Sequence, residues 1–181
     1  MQVFLIRHPR PLIDAGICYG QLDIESEDAL PVSARLRPLL PEGTPVISSP
    51  LRRARQLAEA LDPAARIDAR LCEMDFGEWE GQSWEDIGRH ALDTWAADVL
   101  QFTPPGGESA ACLQQRAIAF AKSLNGPRVA LVTHAGIMRA LLGHWRQLPL
   151  GEWSQLKFEF GSITEIEIEP GIHRKVAKEQ R

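Results

Sequence analysis

The sequence predicts an α/β fold: a three-layer α/β/α sandwich with a mostly parallel central sheet and one antiparallel edge strand. Three observations predict it. Two short apolar runs, Val3–Ile6 and Val129–Val132, have the length and β-branched content of strands buried on both faces. Segments of helical periodicity alternate with such runs, as in parallel strands joined by crossover helices. Near the C-terminus, Ser162 to Ile168 sets Ile163, Ile166 and Ile168 against Thr164, Glu165, Glu167 and the following Glu169. That alternation fits an edge strand with one wet face.

In order along the chain, the first strand ends in Arg7-His8-Pro9, and a loop broken by Pro11, Gly16 and Gly20 follows. Leu30 to Leu40 reads as a helix with Pro31 near its start. Pro45 to Ser48 is a second strand. Ser49-Pro50 opens a helix to about Leu61, with Ser49 as the expected N-cap. Arg66 to Ala69 is a short third strand, and Leu71 to Gly81 is a loop rich in carboxylates and aromatics. Ser83 to Val99 is a broken helix, Pro104 to Gly107 a loop, and Glu108-Ser109 leads into a helix ending near Gly126. Arg128 to Thr133 is the next strand and Ala135 to Trp145 the next helix. Leu156 to Phe160 and Ser162 to Ile168 read as two strands joined at Gly161, before a charged tail from His173 to Arg181.

The 181 residues suit a single domain over 1–181, and 44% hydrophobic content is enough for a sizeable core. A net charge of −4 gives no nucleic-acid footprint and no basic membrane-binding face. Cys18, Cys72 and Cys112 are odd in number and lack CxxC spacing, which argues for a reducing compartment rather than a disulfide framework. The sequence goes straight into its first strand and holds no apolar run of ~18 residues, so the expectation is a cytoplasmic protein. A homodimer through the exposed edge at 162–168 stays open, although its glutamates oppose it.

The chemistry gathers at strand ends. His8 and His134 each follow an apolar strand, where ligands of open α/β sheets bind. In the helix after Ser49, the apolar stripe Leu51, Ala54, Leu57, Ala58 and Leu61 should face the sheet. At about 100° per residue, Arg52 falls opposite that stripe and Arg53 on its flank, in the first turn. A helix N-terminus with an arginine beside it is suited to phosphate. Three arginines on one helix also fit a solvated face, and Glu73 also fits a solvated loop carboxylate. His90 and His173 sit in polar contexts, and His144 lies late in a helix, where a cationic ring suits the dipole. No HxH, HExxH or cysteine pair supports zinc, and Arg7 beside His8 would repel a divalent cation. Two histidines with Arg7 and Arg53 therefore favour an anion, and fit metal-free phosphoryl transfer with Glu73 as the acid.

These residues resemble the histidine phosphatase superfamily, also called phosphoglycerate-mutase-like. The similarity rests on Arg7-His8 after a strand, SSPLRRARQLA (Ser48 to Ala58), LCEMDFGEWEG (Leu71 to Gly81), PGGES (Pro105 to Ser109) and VTHAGIMRALL (Val132 to Leu142). The resemblance implies that His8 becomes phosphorylated and that Arg7 and Arg53 hold the phosphate. It also implies that Glu73 protonates the leaving group and that His134 is a second phosphate ligand and stabilises the transition state. It implies a small-molecule phosphate ester as partner and no metal or other cofactor. Two departures stand out. Pro9 replaces the family glycine after the histidine, and Pro11 and Asp14 occupy positions where the family often has Ser/Thr and a phosphate-touching Asn. The string from Arg7 to Ile24, RHPRP…CYGQLDI, resembles most the α-ribazole-5′-phosphate phosphatases of cobalamin synthesis. A broad-specificity phosphatase for sugar phosphates or nucleotides, or a phosphate-binding regulatory module with little turnover, are the alternatives. Trp79, Trp84, Trp95 and Phe102 lie where a lid would cap the pocket; they could stack on a flat heterocycle or pack within the lid.

Overall fold

The computed structural model describes residues 1–168; Glu169, His173 and the rest of the charged tail lie outside the described residues. A five-stranded sheet runs in the order β3-β2-β4-β1-β5, with β1 Gln2–Arg7, β2 Val46–Ser48, β3 Arg66–Ile67, β4 Arg128–Thr133 and β5 Ile163–Glu167. The pairs β1–β4, β2–β4 and β2–β3 are parallel, and β5 closes one edge antiparallel to β1. The predicted α/β architecture is therefore the observed one.

Strands β1 and β4 are apolar throughout because both of their faces are covered. Val3, Leu5, Val129 and Leu131 pack with α5 (Ala110–Ser123) and α6 (Ala135–Arg146). Phe4, Ile6, Ala130 and Val132 pack with α1 (Ala29–Leu36) and α2 (Arg52–Leu61). Two short helices, α3 (Trp84–Ile87) and α4 (Arg89–Ala97), break at Gly88, whose φ of 86° suits glycine. A final turn of helix, α7 (Leu150–Trp153), lies beneath α6: the Trp153 ring sits where a side chain on Gly143 would project.

Several expectations are corrected. Helix α1 stops at Leu36 and passes into a 3₁₀ turn over Arg37–Leu39, and its N-cap is Asp28, which accepts from the Leu30 N–H at 3.0 Å. Ser49 does not cap α2; the N-cap position is Leu51 and carries no side-chain cap. The third strand shrinks to Arg66–Ile67, exposed on the sheet edge. Leu156 to Phe160 is not a strand. Two of its carbonyls are taken by arginine side chains, Leu156 O by Arg139 Nε at 2.9 Å and Phe158 O by Arg7 Nη1 at 2.6 Å. Ile163 does not share a face with Ile166 and Ile168, since odd and even residues of a strand point opposite ways. It packs on the α1–α2 side while the other two pack on the α5–α6 side.

Candidate active site

Strand register builds the centre of the site. Arg7 pairs with Thr133, so the residues that follow, His8 and His134, leave the sheet side by side. The His8 N–H donates to Thr133 O at 3.1 Å, and the two imidazole centroids are 4.9 Å apart. His8 is 2% exposed, and its Nδ1 lies 2.6 Å from Pro9 O. A carbonyl can only accept, so Nδ1 carries the proton and Nε2 the lone pair. Pro9 thus costs the site an amide donor but keeps the acceptor that sets the tautomer. Burial, then the Arg53 charge, pushes His8 down to about 3. His134 is wholly buried, with Nε2 2.8 Å from Ser49 Oγ and no partner on Nδ1. Burial, then His8, holds it well below the usual imidazole range.

Both histidines are therefore neutral in the ligand-free fold, which fixes the sign of a stability effect. Unfolded histidine takes a proton near pH 6.5 while the folded rings do not. Between that value and about pH 3 for His8, the unfolded state binds more protons, so stability falls as pH falls. The slope is at most about 1.4 kcal/mol per pH unit for each ring. Thermal melts from pH 7 to 4 should show this loss, and His134→Asn should make the slope shallower. An unchanged slope would mean that this ring is already protonated in the fold.

The arginines stand around the histidines without acidic partners. Arg53 is 0% exposed, deeper than the flank position its helical phase predicts. Its Nη1 and Nη2 donate to Leu22 O (2.9 Å) and Gly20 O (2.5 Å), while Nε has no partner. Arg7 lies 3.7 Å over the Phe160 ring, and its Nε is also buried and unpartnered. Burial lowers the pKa of both, and neither forms an ion pair with a described residue. Arg52, by contrast, pairs with Glu25 at 2.7 Å toward solvent, as its phase predicts. Two desolvated guanidiniums with free N–H groups make a site for an anion.

Glu73 reaches the same place from the loop between β3 and α3. Its Oε2 accepts from Gly136 N–H at 3.0 Å, at the start of α6, and its Oε1 from Met74 N–H at 2.9 Å. A Cβ on residue 136 would lie 2.1 Å from Oε1, so glycine is what lets the carboxylate lie against the helix end. Arg116 on α5 fastens the loop, donating to Arg70 O (2.9 Å), Cys72 O (2.6 Å) and Glu73 O (2.8 Å). Arg116 is itself paired at 2.5 Å with Glu108 of the PGGES segment, which also accepts from Asp75 N–H. Glu80 takes the N–H groups of Gln21 (2.7 Å) and Leu22, holding the turn whose carbonyls hold Arg53.

A pocket of about 510 Å³ opens on Arg7, His8, Tyr19, Glu73, Gly136 and Arg139. Its remaining wall is mostly apolar and includes Ile17, Phe76, Trp84, Trp95, Val99 and Trp153. Trp84 and Trp95 stack on each other, 5.8 Å apart and 5° from parallel. Trp79 and Phe102 stack behind them and do not line the pocket. Arg53 and His134 are not in the lining themselves but adjoin it, Arg53 5.5 Å from the Tyr19 ring and His134 4.9 Å from the His8 ring. Asp14 is exposed and lies outside the lining, so its charge does not face the anion site. His90 is exposed, as expected of its polar context.

Among the described residues no three His, Cys, Asp or Glu side chains gather closely enough to hold a metal ion, and no helix is long and apolar enough to cross a membrane. Sequence reasoning did not single out Tyr19, Ser49 as a partner of His134, Arg116 or Arg139. Only Arg139 carried a usable signal, one helical turn after Gly136 on the same face.

The family model described as histidine phosphatase superfamily (branch 1) matches residues 3–179. The chain belongs to the histidine phosphatase superfamily. It is a phosphoric monoester hydrolase by class. This histidine phosphatase is 29% identical to the glucosyl-3-phosphoglycerate phosphatase of Mycolicibacterium vanbaalenii, over 86% of this chain and 78% of the relative. Among solved structures it is similar to TTHB049 from Thermus thermophilus, with a TM-score of 0.75 and 31% identity over 92% of this chain and 94% of that one. The mycobacterial glucosyl-3-phosphoglycerate phosphatase complexed with VO3 gives a TM-score of 0.77 and 28% identity, covering 92% of each chain.

Proposed function

We propose that this histidine phosphatase hydrolyses phosphate monoesters in two steps, without a metal, through a phosphohistidine on His8. The observation that carries the reading is the His8 tautomer: Nδ1–H bound to Pro9 O leaves the Nε2 lone pair free beside unpaired guanidinium N–H groups. Nε2 attacks phosphorus; the P–N bond forms, the P–O bond to the leaving group breaks, and Glu73 gives that oxygen its proton. Each Glu73 oxygen accepts one backbone N–H and keeps a second lone pair for that proton. Water then attacks phosphorus, Glu73 takes its proton, the P–N bond breaks and inorganic phosphate leaves. Arg7, Arg53 and His134 hold the phosphoryl oxygens. His134 does so as a neutral N–H donor rather than an imidazolium, with Ser49 donating to Nε2 and the ring proton on Nδ1.

For the substrate we infer α-ribazole-5′-phosphate, with α-ribazole as the leaving group, a step of cobalamin synthesis. The segment Arg7 to Ile24 and the apolar wall formed by Phe76, Trp84 and Trp95 support a flat heterocycle. Arg139 favours a second reading, an ester with an additional anionic group such as glucosyl-3-phosphoglycerate. Its Nε is held by Leu156 O, it makes no ion pair with a described residue, and it faces the pocket. We read the enzyme as a cytoplasmic protein and 1–181 as one domain.

Phosphate release from α-ribazole-5′-phosphate, glucosyl-3-phosphoglycerate, 3-phosphoglycerate, a nucleotide and an aryl phosphate, all with chelator present, tests both parts. A clear preference for α-ribazole-5′-phosphate is the expected result. Preference for the carboxylated esters would give the leaving group to the Arg139 reading, and turnover abolished by chelator would sink the mechanism.

A further inference from the structure

Tyr19 is the one tyrosine of the chain, and it stands between the two phosphate-side arginines. It lines the pocket with His8 and Glu73, and its ring lies 5.5 Å from the Arg53 guanidinium carbon. Its phenol lies close enough to the Arg7 and Arg53 guanidiniums to feel both charges. A guanidinium can only donate, so neither arginine takes the phenol proton, which remains to be given elsewhere. Burial pushes the phenol pKa up, against the pull of Arg7 and Arg53, so that proton is retained at neutral pH. In the loop before it, Pro9 has no N–H, and Asp14 is exposed and outside the pocket lining.

We propose that Tyr19 is a further phosphate-binding residue, donating its O–H to an oxygen of the phosphoryl group on His8. The inference rests on the phosphohistidine reading above and adds a ligand to it. Tyr19 then belongs with the groups that bind the phosphoryl oxygens in both steps, not with Glu73, which serves the leaving oxygen.

Tyr19→Phe keeps the ring against Arg53 and removes only the hydroxyl. A hydrogen bond to a charged acceptor predicts a fall in kcat/KM of roughly 10- to 100-fold. The fall should be the same factor for an aryl and an alkyl phosphate, because the phosphoryl group is common to both. The inhibition constant for vanadate should rise in the same variant, while the melting temperature without ligand stays close to wild type. Unchanged vanadate inhibition, or a loss confined to the alkyl ester, would overturn the assignment, the second outcome moving Tyr19 to the leaving group. Wild-type protein that neither turns over any ester nor binds vanadate would instead defeat the underlying phosphatase reading. The two failures are thus separable.

Discussion

His8→Ala should lose turnover by at least about 10⁴-fold on every phosphate ester the wild type accepts, because the covalent route ends with the nucleophile. The fold should survive the change. The His8 backbone N–H and C=O remain bonded to Thr133 O and Gly161 N–H, and the ring rests on His134 and Phe160 and belongs to neither hydrophobic core. Rapid acid–base quench of the wild type during turnover should trap a phosphoenzyme that is labile in acid and stable in base, and the variant should show none. Retention of more than a tenth of the activity by His8→Ala would mean that water attacks directly. The same geometry sets the pH behaviour of the nucleophile. With His8 held at about 3, no loss of activity near pH 6.5 can come from protonating it. An acidic limb there would instead reflect the substrate's own phosphate.

Arg116→Met should produce the largest stability loss outside the hydrophobic cores. The Arg116–Glu108 pair is roughly four-fifths buried, with side-chain exposures of 21% and 18%. Removing the cation strands Glu108 and leaves the carbonyls of Arg70, Cys72 and Glu73 without this donor. Breaking a well-buried pair costs roughly 3–5 kcal/mol, and the residual exposure here brings the expectation to about 3 kcal/mol. For a chain of this size that is roughly a 6–12 °C fall in Tm. Activity should fall further than stability explains, because the released loop carries Glu73. A double variant with Glu108→Gln should recover part of the stability, since no unpaired charge remains, but not the activity. A Tm change below 2 °C for Arg116→Met would show that water replaces the lost contacts without cost.

Much of this molecule was legible along the chain, for identifiable reasons. The buried strands Val3–Ile6 and Val129–Val132 betray themselves because both faces are covered, so apolar residues are consecutive rather than alternating. Helix α2 shows its stripe for the same kind of reason: one face meets the sheet. The candidate residues Arg7, His8 and His134 were visible because each sits immediately after such a run, and Arg53 because helical phase separates it from Arg52. The failures were local rules overridden by partners far away in sequence. Ser49 has the chemistry of an N-cap, yet its hydroxyl serves His134, 85 residues on. Leu156 to Phe160 has the composition of a strand, yet Arg7 and Arg139 occupy two of its carbonyls.

Local pattern was enough to set the α/β class, the strands that end in histidine, and a cationic centre at their ends. Those properties follow from periodicity and charge within single segments. Which tautomer His8 holds, how deeply Arg53 is buried, and that Tyr19 joins the arginines were settled by the folded chain alone. So were the rest of Glu73 on the N–H of Gly136 and the fastening of its loop by Arg116. These depend on atoms brought within hydrogen-bonding distance across tens of residues, and no local pattern records which partners will meet.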